Sequence, residues 1–161
     1  MQKKLLEIKT LINKVKENGS VFLQAGGGLP MKWTKLSSFT DSEVREGVCL
    51  LFDLYQLRSI APSFSDISLD IIDWAEEPII FHTPVSPLLK SGPISKGIIK
   101  FALIKEPFWN KMLFASGQIL VSQEVNEGID TLILEEPFPL QQKNVKEMFL
   151  SADGQVKIIK P

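Results

Sequence analysis

Short, strongly apolar runs constrain this chain most. Residues 48–53 read VCLLFD and residues 97–104 read GIIKFALI. Continuous apolar runs of this length are typical of strands that are buried on both faces. Shorter runs of strand-forming residues predict further strands at residues 20–24, 78–83, 118–122, 130–134 and 155–159.

Helical segments alternate with these strands. Apolar residues recur every three or four positions from Leu5 to Val15, which predicts a helix that ends near Gly19. Ser65 is suited to cap a second helix, and Pro107 is suited to the first turn of a third. The alternation predicts an α/β fold, a twisted mixed sheet flanked by helices. Residues 29–47 are rich in Ser, Thr and Lys, and we expect them to be irregular.

The length and charge of the chain limit its class. A chain of 161 residues predicts a single domain over residues 1–161. The net charge is −1, without the basic excess by which nucleic-acid binders release counterions. This argues against a strong nonspecific nucleic-acid binder and leaves a local basic face open. No segment approaches the ~20 apolar residues that cross a bilayer. The first residues also lack a signal-peptide core, so we expect a cytoplasmic protein without membrane association.

Few side chains suggest catalysis. Cys49 is the only cysteine and lies in an apolar run, which predicts a buried thiol and excludes a zinc site built on cysteines. His82 is the only histidine. It is compatible with a triad assembled in space, but no GxSxG motif accompanies it, so a packed histidine is favoured. The glycines at 26–28 could cradle an anion, yet they match no phosphate-loop motif and favour a turn. No metal site is predicted.

The order of elements from Val48 onward resembles the YrdC family, the threonylcarbamoyl-AMP synthases of tRNA modification. The resemblance covers about two-thirds of the chain. Its clearest segments are QILVSQEVNEG, where the family has a "PIVSTSANLSG"-like motif, and DGQVKIIKP, where the family ends near "VKILRPG". The other counterparts, in order, are VCLLFDLYQL, WAEEPIIFHTP, GIIKFALIKEPFWNKML and IDTLILEE.

The family's STSAN motif is only partly retained. By this resemblance, Ser122 and Asn126 stand on its first serine and its asparagine. Gln123, Glu124 and Val125 replace the three residues between them. The second serine, a hydroxyl that would bind phosphate, has become the Glu124 carboxylate, which repels phosphate.

Other substrate positions of the family also differ. Ala102 stands where the family has an arginine, which leaves Lys100 as the nearby cation. QAGGGLP replaces the family's "PTDTVYGL", without its threonine or aspartate, and Arg45 is a shifted remnant of a Lys-x-Arg motif. The resemblance therefore implies four candidate nucleotide- or substrate-binding residues, Ser122, Asn126, Arg45 and Lys100, and no catalytic residue.

The residues that build strands are matched, whereas most of those that bind substrate are not. We therefore expect a divergent, non-catalytic YrdC-like protein related to tRNA threonylcarbamoyladenosine biosynthesis. It would bind a nucleotide such as ATP, or tRNA, weakly through the concave face of its sheet. Two alternatives stay open. One is an active threonylcarbamoyl-AMP synthase with altered site residues, and the other is a structural or protein-interaction subunit whose Phe-rich surface packs against a partner.

Overall fold

The computed structural model describes residues 2–39 and 46–161. Within these ranges the chain forms three α-helices: α1 (Gln2–Asn18), α2 (Asp66–Trp74) and α3 (Pro107–Ser116). Short 3-10 helices lie at Leu36–Ser38, Leu54–Ser59 and Pro139–Gln141.

Ten strands form one sheet in the described part of the chain. They are β1 (Ser20–Gln24), β2 (Pro30–Lys35), β3 (Val48–Leu51), β4 (Ile79–Pro84), β5 (Ile94–Ser95), β6 (Ile98–Leu103), β7 (Leu120–Glu124), β8 (Leu132–Ile133), β9 (Lys146–Leu150) and β10 (Val156–Lys160).

The sheet is mixed, as predicted. Its strand order is β10-β9-β4-β6-β3-β7-β2-β1-β8, and β5 pairs with β6 outside this path. The pairs β1–β8, β3–β6 and β4–β9 are parallel, and the other neighbouring strands are antiparallel. At the centre, β3 therefore lies between a parallel neighbour, β6, and an antiparallel neighbour, β7.

The helices α2 and α3 begin where their sequences predict. The Ser65 hydroxyl accepts a hydrogen bond from the Ser68 N–H at 3.2 Å and caps α2. Glu106 caps α3 by accepting from the N–H groups of Phe108 and Trp109. This helix ends at Gly117, whose φ of 71° lies in the left-handed region that glycine adopts without strain.

The sheet lies between two apolar clusters. One cluster contains Leu50 together with α1, α3 and the buried rings of Trp33 and Trp109. The other contains Cys49 and Phe101 and includes residues of α2. Adjacent residues such as Cys49 and Leu50 enter different clusters because successive side chains of a strand point to opposite faces.

Three strands were not predicted, and the shortest of them is the two-residue β5 (Ile94–Ser95). Residues 30–35, predicted to be irregular, form β2, in which Met31 and Trp33 are buried while Lys32 between them is half-buried. This alternation with a period of two is a strand pattern, and the preceding glycines and Pro30 obscured it. Residues 146–150 form β9, which pairs with both β4 and β10.

Candidate functional site

A cleft of about 660 Å³ lies beside β2, β3, β6 and β7. Both Lys100 of β6 and Ser122 of β7 pair with Val48 of β3. Residues that pair directly across strands share a face of the sheet. The polar lining of the cleft comprises Lys32, Glu46, Lys100, Ser122, Gln123, Glu124 and Gln141.

Ser122, Val48 and Lys100 form a cross-strand row, which we call the cleft row. Two residues further along each strand lies a second row of Leu120, Leu50 and Ala102, which we call the core row. The three core-row residues are buried at 1% exposure or less, whereas the three cleft-row residues are half-buried. The open cleft and the packed core are therefore consecutive rows of the same strands.

The Lys100 ammonium is available to a ligand. Across residues 2–39 and 46–161, its side chain makes no hydrogen bond and no ion pair. A half-buried ammonium in a cleft attracts an anion more strongly than one in open solvent, because the surrounding protein lowers the local dielectric constant. Lys100 can therefore hold a phosphate or a carboxylate.

The Ser122 hydroxyl is also only weakly engaged. It donates to the Met31 sulfur at 3.6 Å, and a thioether is a weak acceptor. An anionic oxygen would be a much stronger acceptor for this proton. The cleft row thus presents one cation, on β6, and one hydroxyl donor, on β7, on either side of Val48 of β3.

Glu124 also lines the cleft and is held by a distant residue. The Gln141 amide nitrogen donates to the Glu124 carboxylate at 3.1 Å and to the Leu29 carbonyl oxygen at 3.1 Å. Gln141 ends the 3-10 helix Pro139–Gln141. Sequence reasoning missed this residue, because nothing in the local pattern around Gln141 indicates that it contacts Leu29 or Glu124.

The glycine turn at residues 26–28 packs against residues 136–141, the segment that contains Gln141. The Gly26 N–H donates to the Glu136 carbonyl oxygen at 3.1 Å, and the Gly28 N–H donates to the Ala25 carbonyl oxygen at 3.0 Å. A methyl group on Gly28 would collide with the side-chain amide of Gln141. Two of the three glycine N–H groups are thus committed within the protein, and the turn serves packing rather than an anion cradle.

The described charges of the cleft are balanced. Lys32 and Lys100 are matched by Glu46 and Glu124. The Lys32 ammonium lies 5.8 Å from the centre of the Phe22 ring, an arrangement that favours a cation. A site for a triphosphate usually carries a clear excess of positive charge, and the described lining of this cleft carries none.

The structure brings together two of the four predicted site residues, Ser122 and Lys100. Asn126 is exposed beyond the end of β7 and is not part of the cleft lining. Arg45 lies outside the described residues. Ala102, where the family has an arginine, is buried in the core row and does not reach the cleft.

The remaining reactive side chains are packed. His82 Nε2 lies 2.8 Å from a carboxylate oxygen of Glu147, and His82 pairs with Lys100 across β4 and β6. Cys49 is fully buried, and this burial raises the pKa of its thiol to about 12. The predicted buried cysteine is confirmed. At neutral pH the thiol is protonated and therefore a poor nucleophile.

No helix in the described ranges has the length and apolar character needed to cross a bilayer.

Comparison by sequence and by structure gives different outcomes. The sequence matches no protein-family model, and no curated protein matches it. By structure, the chain is similar to a variant of P. abyssi Sua5, with a TM-score of 0.70 and 9% identity over 96% of this chain and 53% of that one. It is also similar to E. coli YciO, with a TM-score of 0.66 and 13% identity over 98% of this chain and 89% of that one.

A third similar structure is HypF, with a TM-score of 0.66 and 12% identity over 95% of this chain and 28% of that one. The chain thus spans about half the length of the Sua5 chain and little more than a quarter of HypF. At these identities the likeness shows a shared fold. The chain therefore has the YrdC-like fold of Sua5 and YciO that its sequence predicts.

Proposed function

We propose that this chain is a non-catalytic YrdC-like protein, related to tRNA threonylcarbamoyladenosine biosynthesis, that binds a nucleotide or an RNA phosphate weakly in the cleft. One observation carries the proposal. The Lys100 ammonium and the Ser122 hydroxyl flank Val48 in the same cleft, and neither has a strong partner among the described residues. Together they supply a charge and a hydrogen-bond donor to a single anionic group.

The balanced charge of the cleft supports weak binding without catalysis. Glu46 and Glu124 oppose the two lysines, so a triphosphate gains little net attraction. Catalysis by a synthase also requires that ATP and a second substrate be held in a defined mutual orientation. Gln123, Glu124 and Val125 stand where the family has polar substrate-binding or small residues, and they do not provide the same contacts.

The structural neighbours suggest which ligands to test. HypF was solved in a phosphate- and nucleotide-bound form. P. abyssi Sua5, at 8% identity and a TM-score of 0.64, was solved in complex with L-threonine. These ligands belong to those proteins, and they define the phosphate, nucleotide and amino-acid series with which this cleft should be challenged.

Calorimetric titration with ATP and with tRNA tests the proposal. We expect dissociation constants of about 0.1–1 mM for ATP, equivalent to roughly 4–5.5 kcal/mol. Lys100→Met and Ser122→Ala should each weaken binding at least about threefold, since each removes a direct contact to the anion. Lys157→Met is the matched control, because Lys157 is an exposed lysine of β10 that does not line the cleft. Absence of binding to both ligands, or equal losses in Lys100→Met and Lys157→Met, would overturn the proposal.

An active synthase is the second candidate, and the retention of Ser122 in the same cleft as Lys100 favours it. Incubation with threonine, bicarbonate and ATP, followed by detection of threonylcarbamoyl-AMP, separates the two candidates. Product above background that disappears in Ser122→Ala would contradict a non-catalytic protein. We expect no product from the wild-type chain.

A further inference from the structure

Glu124 occupies the same face of β7 as Ser122. The two residues are separated by one position, so their side chains point to the same side of the strand, about 7 Å apart along it. Glu124 lines the cleft. A ligand phosphate held by Ser122 and Lys100 therefore lies near the Glu124 carboxylate.

The Glu124 carboxylate is held by a hydrogen bond from Gln141. Gln141 uses its amide nitrogen both to donate to Glu124 and to donate to the Leu29 carbonyl oxygen. The amide oxygen of Gln141 is buried, and its end of the side chain lies against Gly28, where no larger residue fits without displacing it. An exposed glutamate that was not held in this way would turn toward solvent when an anion entered the cleft.

We propose that Glu124 determines the charge specificity of the cleft and that Gln141 is its positioning residue. This inference rests on the proposed function of the cleft. The held carboxylate repels ligands with several negative charges, and it accepts a hydrogen bond from a hydroxyl or ammonium group. The cleft therefore selects ligands that carry one phosphate group and a nearby hydrogen-bond donor, such as a nucleoside monophosphate, over a nucleoside triphosphate.

Calorimetric titration with AMP and with ATP measures this selectivity directly. We expect the wild-type chain to bind AMP more tightly than ATP. In Glu124→Gln the repulsion disappears while the shape and the amide contact are kept, so the affinity for ATP relative to AMP should rise at least about threefold. Glu127→Gln is the matched control. It removes the same charge from the chain, and Glu127 is exposed and does not line the cleft.

The role of Gln141 needs variants that release Glu124 without changing its charge. Gln141→Ala removes the donor. Gly28→Ala instead displaces the flexible end of Gln141 from outside the cleft lining, and the Gly28 backbone is not in the left-handed region. Both should shift the AMP-to-ATP affinity ratio in the same direction as Glu124→Gln, by a smaller factor. Neither should shift it further in a Glu124→Gln background, because coupled residues are not additive.

The outcomes separate this inference from the proposed function. If the wild-type chain binds AMP through Lys100 but Glu124→Gln leaves the ratio unchanged, the specificity inference is wrong and the binding site stands. The same conclusion follows if Glu127→Gln shifts the ratio as much as Glu124→Gln. If the wild-type chain and Glu124→Gln both fail to bind AMP and ATP, the inference and the proposed function are both overturned.

Discussion

The core row and the cleft row are adjacent on the same three strands, yet they have opposite character. Leu120, Leu50 and Ala102 are fully packed beneath α1 and α3. One step along the same face, Ser122 and Lys100 flank Val48 at an open cleft. The strands are continuous across both rows, so the difference arises from what covers them.

Three buried aromatic rings form a cluster in the packed region. The Trp109 ring lies 5.6 Å from that of Trp33 and 5.0 Å from that of Phe138, and all three are at most 1% exposed. Trp33 pairs directly with Ser122 across β2 and β7. The packed region thus borders the candidate site. We therefore expect that stability and binding can be perturbed separately at neighbouring positions.

The largest effect is expected at the centre of the aromatic cluster. Trp109→Ala removes a fully buried ring and the hydrogen bond from its indole nitrogen to the Pro137 carbonyl oxygen at 2.8 Å. We expect the free energy of unfolding to fall by about 3–5 kcal/mol in denaturant titration. Trp74→Ala is the control, because Trp74 is 73% exposed, and it should change the free energy by less than about 1 kcal/mol. Similar losses in the two variants would contradict the packing described.

The two rows themselves can be compared on a single strand. Leu50→Ala in the core row should destabilise the protein by about 2–5 kcal/mol, because it leaves a cavity under α1 and α3. Val48→Ala in the cleft row should lose less than about 1.5 kcal/mol, since its side chain is only half-buried. Thermal and denaturant unfolding of both variants give the measurement. Equal losses would mean that the rows do not differ in packing.

The free energy of unfolding should depend on pH through Cys49 of β3, whose side chain lies on the face opposite these rows. Burial raises the pKa of Cys49 to about 12, from an ordinary value of 9.0. The unfolded chain loses the Cys49 thiol proton at a lower pH than the folded chain does. The stability contributed by the buried, neutral thiol is therefore complete below pH 9 and declines, by about 1.4 kcal/mol per pH unit, as the pH rises toward 12.

Comparison of wild type with Cys49→Ala isolates this contribution from other alkaline titrations. The unfolding free energy of the wild type should fall more steeply than that of the variant above pH 9. Parallel slopes would show that the thiol reaches solvent in the folded state.

The smallest effect is expected at the exposed ion pair between Lys3 of α1 and Glu135, which are 2.6 Å apart. The hydrogen bond and charge of Lys3 lower the pKa of Glu135, so any stabilisation is present above the ordinary glutamate value of 4.5 and is lost as the pH falls below it. Lys3→Ala should leave the melting temperature at neutral pH nearly unchanged, and added salt should erase what difference there is. A clear destabilisation that survives high salt would contradict this.

Much of the fold could be predicted from the sequence, because its signals are local. The apolar runs at 48–53 and 97–104 correspond to the central strands β3 and β6, and Ser65 and Pro107 lie at the starts of α2 and α3. The strand predicted at residues 130–134 is limited to Leu132–Ile133. β2 escaped prediction because the preceding glycines and Pro30 obscure its alternating pattern, and β9 because its apolar run, residues 148–150, is short.

The site was less predictable, because it is assembled from residues far apart in the chain. Ser122 and Lys100 were identified by resemblance, and the register of β3 with β6 and β7 explains why they lie in one cleft. Gln141 could not be found from local sequence, because its contacts with Leu29 and Glu124 exist only in the folded chain. Pairing of Val48 with both Ser122 and Lys100 is likewise a property of strand order.

A titration of the chain with AMP, followed by backbone amide chemical shifts, shows directly whether the cleft row binds the ligand and the core row does not. We expect the largest shift changes at Val48, Lys100, Ser122 and Glu124, with little change at Leu50 and Leu120 two residues away. Changes centred on another surface, or none in the cleft row at saturating AMP, would contradict this expectation.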